Sequence, residues 1–430
     1  MLWHDPCISP SSPPADAAIQ YRCERCGEIH AAAAGWRCRG CGGAFVLHPD
    51  PAFALEATDA QAAGVWRFGA ALPAVAAADR ITAGEAGTPL IALERARGRV
   101  LAKLEHLQPS GSYKDRGAAV LVSVLRTLGV SALREDSSGN AAASLAAYAA
   151  AAGIGCQIFA PATTSAAKLA QARAHGASMR LVDGDREAAE AAAQVPQPGS
   201  VYAGHNWHPA FLAGVSTLGY ELAEQLGPGG AGGVVVPLGY GNLLLGLWDA
   251  FTALRRADPA VRVPRLFGVQ SEAFSPVAAA WRAGASEVEA VRPGETMAEG
   301  IRCVRPVRDR RLLAAVRASG GAVVSVDERE IATALAELLA RGVYVEPTSA
   351  VAWAGLTHLP PVDGECVVVL TGSGLKAPGA IERAVGLVRP TEHGQAGETD
   401  HDARHGAESQ PGAGAGDGHH PADDRSPDRR

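Results

Sequence analysis

Residues 105–117, EHLQPSGSYKDRG, decide how the rest of the chain is read. The 430-residue sequence holds 39 Lys plus Arg, and Lys stands only at positions 103, 114, 168 and 376. A chain that writes nearly every cation as Arg keeps Lys where Arg cannot serve, and Arg cannot shed its proton to become a nucleophilic amine. Lys114 is therefore a candidate nucleophile. Pro109, Ser110, Gly111 and Ser112 read as a turn, Ser112 is placed to cap a following helix, and the amphipathic run 117–128 continues that helix. Lys114 then stands at a helix N-terminus, where backbone N–H groups and the positive dipole end lower an ammonium pKa. The same residues also fit a surface lysine in a first helical turn, so other stretches must separate the two readings.

Composition narrows the classes. With 47% hydrophobic residues the chain can bury a large core in two or three domains. No apolar run is long enough for a membrane span, and the N-terminus lacks the basic region of a secretory signal, which points to the cytoplasm. The net charge is -6, most of it from the acidic stretch 391–430, and no basic stripe suggests a nucleic-acid partner. Eight Cys in a chain of this kind argue against a disulfide framework.

Residues 1–20 read as a disordered leader and 389–430 as a disordered tail whose histidines form no metal tract. Between them, 21–46 carries Cys23, Cys26, Cys38 and Cys41 in two C-x-x-C-G knuckles. Each knuckle points two sulfurs at one atom, and the spacing closes a tetrahedral four-thiolate zinc site, structural because it leaves no open ligand position. Coincidental turns with free thiols are the other reading. Cys7, Cys156, Cys303 and Cys366 stand singly and read as buried or idle. Residues 49–82 form a connector packed on the body.

From residue 87 onward short apolar runs alternate with helical patterns. Strands are expected at 100–105, 157–160, 179–182, 234–237, 266–270, 322–326 and 366–370, which predicts a mostly parallel α/β sheet with ligands beyond the strand C-termini. Three further motifs fall at such ends. SSGN, 137–140, opens a long Ala-rich helix and offers hydroxyl, amide and free N–H groups to an anion, though an ordinary helix cap fits too. PLGYGNLLLG, 237–246, follows a strand with two glycines that let successive N–H groups converge on a phosphate, and it lacks the third glycine of a dinucleotide fingerprint. TGSGLK, 371–376, ends the last strand, where a plain polar turn is the bland alternative.

Taken with P-S-G-S-Y-K-D-R-G at 109–117, these motifs resemble the pyridoxal-phosphate enzymes of the tryptophan synthase beta fold (fold type II), and most closely the threonine synthases, over about 88–387. Ser110 and Tyr113 stand where that family usually has Thr and Phe. The resemblance implies two αβα domains with parallel sheets, the smaller at about 118–216 inserted in the larger within a catalytic region 47–388, and a homodimer. It implies Lys114 as the Schiff-base lysine and base. Asn140 would meet the cofactor's ring hydroxyl. Ser137, Ser138 and Gly139 would receive the substrate carboxylate. Gly239, Tyr240, Gly241, Asn242 and Leu243 would cradle the phosphate group, and Thr371 would meet the pyridine nitrogen, while EPTSA, 346–350, has a supporting role. Similar N-terminal ribbons occur in some threonine synthase relatives.

One segment departs from the family. Its phosphate clamp, N-S-x-N-P-x-R-x-x-G, corresponds here to HNWHPAFLAG, so its Asn and Ser fall on His205 and Asn206, its second Asn on His208 and its Arg on Phe211. Losing a charge-assisted pair costs about 1.5–3 kcal/mol in binding O-phosphohomoserine unless Arg302, Arg305 or a histidine compensates. Ala141 also stands where many members have Thr. The expected activity is threonine synthase-like, on an amino-acid substrate. A threonine or serine dehydratase or a beta-replacement enzyme is the alternative, and a non-catalytic cofactor-binding sensor is the rival from another class. A metal-centred enzyme is more distant.

Overall fold

The computed structural model describes residues 19–95 and 98–388; the leader through residue 18, Cys7 and the tail lie outside them. Three sheets organise the chain. β1 (Gln20–Cys23), β2 (Ile29–Ala31) and β3 (Phe45–His48) pair antiparallel in the order β2-β1-β3. The largest sheet takes the order β12-β11-β10-β13-β5-β4, from β4 (Leu90–Arg95), β5 (Gly98–Lys103), β10 (Ala231–Pro237), β11 (Arg265–Ser271), β12 (Ala322–Val326) and β13 (Glu365–Val369). All its pairings are parallel except β4 with β5. A parallel four-stranded sheet β8-β7-β6-β9 holds β6 (Ala132–Glu135), β7 (Gly155–Pro161), β8 (Ser178–Val182) and β9 (Val201–Tyr202) and lies within 118–216.

Every expected strand is present with slightly shifted ends. β10 is buried at all its positions, as a strand covered on both faces requires. Strands β1, β2, β3, β4, β6 and β9 fall outside the expected set; β9 is two residues long, and β4, at the sheet edge, buries only Leu93.

The covering helices are α1 (Lys114–Thr127), α2 (Asn140–Ala152), α3 (Ala166–Ala174), α4 (Arg186–Gln194), α5 (Pro209–Leu226), α6 (Asn242–Ala257), α7 (Pro276–Arg282), α8 (Asp309–Ala318), α9 (Glu328–Ala340), α10 (Pro347–Gly355) and α11 (Pro378–Val388). α5 has Pro in its first turn, and the His208 ring nitrogen accepts from Ala210 N–H at 3.3 Å. It packs between α1 and α6, and glycines set the approach: a Cβ on Gly214 would lie 2.2 Å from the Arg116 carbonyl oxygen, and one on Gly219 2.4 Å from Ala250 Cβ. The 49–82 connector folds as short 3-10 turns that bury Trp66 and Phe68.

Beneath α1 lies a fully buried ionic cluster. Arg116 donates to both Glu105 oxygens at 2.8 Å and to Glu221 at 2.9 Å, and Lys103 donates to Glu221, to the Thr88 carbonyl at 2.6 Å and to Gln225 at 2.9 Å. Glu221 also accepts the N–H groups of Gly87 and Thr88 at 2.9 Å. Two cations and two anions cancel, and the remaining lone pairs are met, which is the condition for burying charge. Burial alone would raise the Glu221 carboxyl, but Arg116 and Lys103 outweigh it and hold it at about 2.

Removing one partner leaves a buried charge unmet, so Glu221→Gln is expected to cost about 3–5 kcal/mol at neutral pH, read by denaturant unfolding. The folded-state pKa lies below the usual 4.5. Glu221 therefore stabilises fully above about pH 5, and that contribution disappears as pH falls toward 2. The variant should show a flatter acid limb than the parent.

Candidate active site

Lys114 is the first residue of α1, behind Tyr113 at the N-cap position. Ser112 does not cap this helix, contrary to the sequence expectation. It forms a bridge with Gly372 beyond β13, and its hydroxyl is buried without a hydrogen-bond partner. The turn is tied down by Asp115 instead, which accepts from Ser110 N–H and from Ser144 Oγ, both at 2.6 Å, and from the Ser110 hydroxyl. Lys114 Nζ lies 4.7 Å from the Tyr113 ring centre and 5.7 Å from that of Phe211.

Tyr113 N–H donates to the Thr371 carbonyl at 3.1 Å, so the end of β13 adjoins the lysine. Ser349 braces this turn: its Oγ accepts from Thr371 N–H at 2.9 Å and Gly372 N–H at 3.0 Å and lies 3.2 Å from Thr371 Oγ1. Asn140 opens α2 after Ser137, Ser138 and Gly139, with Gly139 N–H donating to Ser137 Oγ at 3.3 Å. Its Nδ2 donates to both Glu346 oxygens, at 3.0 and 3.1 Å. Burial pushes the Glu346 carboxyl up, opposed by Asn140, Lys376 and Lys114. Burial pushes the Lys376 ammonium down, opposed by Glu346 and Asp115, and its nitrogen is buried without a hydrogen-bond partner. Glu346 and Lys376 thus belong to the centre of the site.

After β10, Gly239 approaches the 300–301 backbone so closely that a Cβ would lie 3.0 Å from Ile301 Cα, and Gly241 has φ +91° at the N-cap of α6. Only glycine is comfortable there, and the first amides of α6 have no helical partners. Tyr240 OH accepts from Arg186 Nε at 3.1 Å, Asn242 Nδ2 donates to the His205 carbonyl at 2.9 Å, and Leu243 packs in the core. A cavity of about 350 Å³ opens beside Tyr240, with Trp207, Glu190, Arg305 and Asp309 in its lining.

The segment that departs from the family sits against this loop. His205 Nδ1 is 2.6 Å from Glu135 Oε1, and its N–H donates to Glu135 Oε2 at 3.1 Å. Phe211 is buried beneath Gly117, where a Cβ would meet its ring at 2.6 Å, and its ring centre lies 5.6 Å from His205. The suggested substitutes for the missing cation are engaged elsewhere: Arg302 with the Thr296 carbonyl and Glu299, Arg305 with Asp309. His208 is held down near 3 by burial and by Arg308. No sequence signal singled out Glu135, which ends β6 and forms an ordinary acidic pair with Asp136.

The sulfurs of Cys23, Cys26, Cys38 and Cys41 all lie within 4.8 Å of one another, a donor set compatible with zinc. His30 Nε2 and Glu28 Oε2 stand 3.6 and 3.7 Å from Cys38 Sγ. The ribbon docks on the start of α8 and on the stretch before α5: Glu24 pairs with Arg308 and Arg311 at 3.2 and 3.0 Å, and the Trp36 ring centre is 4.8 Å from Tyr202 and 5.0 Å from Trp207.

Residues 81–372 match the family described as pyridoxal-phosphate dependent enzyme. The chain belongs to this family. It is 34% identical over 335 residues to the threonine synthase of Methanocaldococcus jannaschii, covering 75% of this chain and 82% of the relative. Against the threonine synthase of Mycobacterium tuberculosis it is 34% identical over 330 residues, with 72% and 87% covered. Among solved structures, a threonine deaminase from T.th. is 29% identical with TM-score 0.56, covering 66% of this chain and 92% of that one. An L-serine ammonia-lyase from Rhizomucor miehei shares the fold at 22% identity and TM-score 0.60, with 70% and 97% covered. Among the described residues no helix is long and apolar enough to cross a membrane.

Because Gly214 lets α5 touch the α1 backbone two residues beyond Lys114, Gly214→Ala must push the helices apart. We expect a loss of at least about 1–3 kcal/mol and weakened cofactor retention, read by thermal unfolding and cofactor absorbance. Gly386→Ala, at an exposed position of α11 with nothing within 4 Å, should leave the cofactor absorbance unchanged and should not lower thermal stability.

Proposed function

We propose that this protein is a pyridoxal-phosphate-dependent lyase acting on an amino acid, with reaction chemistry of the threonine synthase type and Lys114 as the cofactor-bearing lysine and base. What supports the reading is a chain of contacts among four motifs. Tyr113 N–H ties Lys114 to Thr371, and Asn140 donates to Glu346, whose N–H donates to the Gly372 carbonyl. Asn242 of the 239–243 loop holds His205, which with Phe211 adjoins Lys114. Two features fit the cofactor: the first amides of α6, beginning at Asn242, have no helical partner, and the buried Ser112 hydroxyl and Lys376 ammonium lack partners that a polar ligand can supply. The phosphate group would be held by Gly239, Tyr240, Gly241, Asn242 and Leu243, the ring hydroxyl by Asn140 and the pyridine nitrogen by Thr371.

Bound pyridoxal phosphate supplies an electron sink that makes the substrate's α hydrogen acidic. Ser137, Ser138 and Gly139 would hold the substrate carboxylate and so orient that hydrogen. The Lys114 amine takes it and, in the full synthase sequence, also takes a proton from the β carbon, which its closeness to both carbons allows. The relatives' names favour O-phosphohomoserine plus water giving threonine plus phosphate. A second reading, elimination from threonine or serine to a 2-oxo acid, is favoured by Phe211 at the clamp position.

Phosphate and threonine formed from O-phosphohomoserine, at an efficiency typical of enzymes and lost in Lys114→Ala, is the outcome the first reading predicts. A 2-oxo acid from threonine or serine with an inert phosphate ester selects the second. No turnover of either kind by cofactor-loaded protein supports a sensor and ends the lyase proposal.

We also propose that Cys23, Cys26, Cys38 and Cys41 hold one structural zinc. Metal analysis of gently purified protein should give one zinc per chain, and chelation should open residues 19–48 to protease while the cofactor stays bound. Substoichiometric zinc in fully folded protein contradicts it.

A further inference from the structure

The ribbon carries a second set of metal-binding atoms. Cys38 Sγ, one of the four proposed zinc ligands, also faces Glu28 and His30, and the three donor atoms form a nearly equilateral triangle. His30 Nε2 stands 3.4 Å from Glu28 Oε2 and 3.6 Å from Cys38 Sγ, and the sulfur is 3.7 Å from the same carboxylate oxygen. A tetrahedral metal with bonds of about 2.0–2.2 Å to nitrogen and oxygen and about 2.3 Å to sulfur spaces its ligand atoms about 3.3–3.7 Å apart. All three edges fall in that range.

Hydrogen bonding accounts poorly for the triangle. One proton on Nε2 cannot serve a carboxylate and a sulfur together, and 3.4 Å to the carboxylate is longer than an ordinary N–H···O bond. The carboxylate and a thiolate repel at this separation, and a cation among the three atoms removes the conflict. Local packing keeps the triangle formed and open. His30 lies on β2 opposite Tyr21, with its ring centre 5.1 Å from that of Phe45. Position 40, inside the second knuckle, is glycine: a Cβ there would lie 3.2 Å from Glu28 Oε2 and 3.8 Å from Cys38 Sγ, crowding two of the three donors.

We propose that Glu28, His30 and Cys38 bind a second divalent metal ion, zinc or another ion that accepts mixed nitrogen, oxygen and sulfur ligands, with the Cys38 thiolate bridging it to the first. Charge favours the second ion. Four thiolates around one divalent ion leave two negative charges uncancelled, and Glu28 adds a third; a second divalent ion cancels two of the three. Three protein ligands leave the fourth tetrahedral position to water, and Glu28 is exposed. This ion is therefore held less tightly than the first and exchanges with solution.

Because Cys38 is shared, this inference rests on the proposed four-thiolate zinc, and the test separates the two. Bound metal is counted in the full chain as purified and again after dialysis against buffered zinc; in parallel, Co2+ is added to the zinc-bound protein and its absorbance followed. The parent chain should gain one further ion, and the added cobalt should show thiolate-to-cobalt charge transfer because Cys38 is among its ligands. Glu28→Ala, at an exposed position, and His30→Phe, which keeps a ring against Phe45, should each retain the first ion and lose both the second and the cobalt band. A parent chain that stays at one ion overturns this inference alone. So does a second ion that both variants retain, or bound cobalt without the charge-transfer band, as the histidines of 391–430 would give. A parent chain with no metal before or after dialysis sinks the four-thiolate reading and this inference with it.

Discussion

Everything in the site depends on a neutral pair of ion pairs that never meets water. Lys103 at the end of β5, Glu105 just beyond it, Arg116 in α1 and Glu221 in α5 lock the sheet edge to two helices, and Arg116 is two residues from Lys114. A nucleophile needs a fixed address. Apolar packing alone leaves a helix free to slide by a fraction of an ångström, whereas forked bonds from Arg116 to two carboxylates fix both its rotation and its height. The arrangement also accounts for the use of Lys at 103: its compact ammonium reaches Glu221, a backbone carbonyl and Gln225 from one point.

From this anchor the site is assembled by strand ends. The turn after β13 comes to Lys114 through a main-chain bond from Tyr113, and Ser349 holds that turn from α10. Asn140 is held from across the site by Glu346. The glycine loop after β10 holds the 205–206 segment through Asn242, whose Nδ2 donates to the His205 carbonyl and to Asn206 Oδ1. The ribbon, far from this region in sequence, reaches the adjoining Trp207 directly through Trp36 and, through Glu24, holds Arg308, which donates to the Trp207 carbonyl.

The sequence made the parallel strands legible because strands buried on both faces are continuous apolar runs, and it made the glycine loop and the four cysteines legible because their chemistry is local in spacing. Lys114 stood out by the scarcity of lysine. What stayed hidden was what acts across the fold. Ser112 looked like a cap because it precedes a helix, yet its backbone is taken by Gly372 and Asp115 ties the turn instead. Glu346 and Glu135 find their partners, Asn140 and His205, 206 and 70 residues away. Nothing in spacing or periodicity reports such pairs; only the convergence of strand ends does.

The central claim is that Lys114, among the four lysines, carries the cofactor. Borohydride reduction of the cofactor-loaded protein followed by peptide mass mapping tests it most directly, since reduction fixes the cofactor to whichever amine holds it. The account predicts the added mass on the peptide containing Lys114 and on none containing Lys103, Lys168 or Lys376. Label on Lys376, whose buried ammonium also lacks a hydrogen-bond partner, or no label on any lysine, would contradict it.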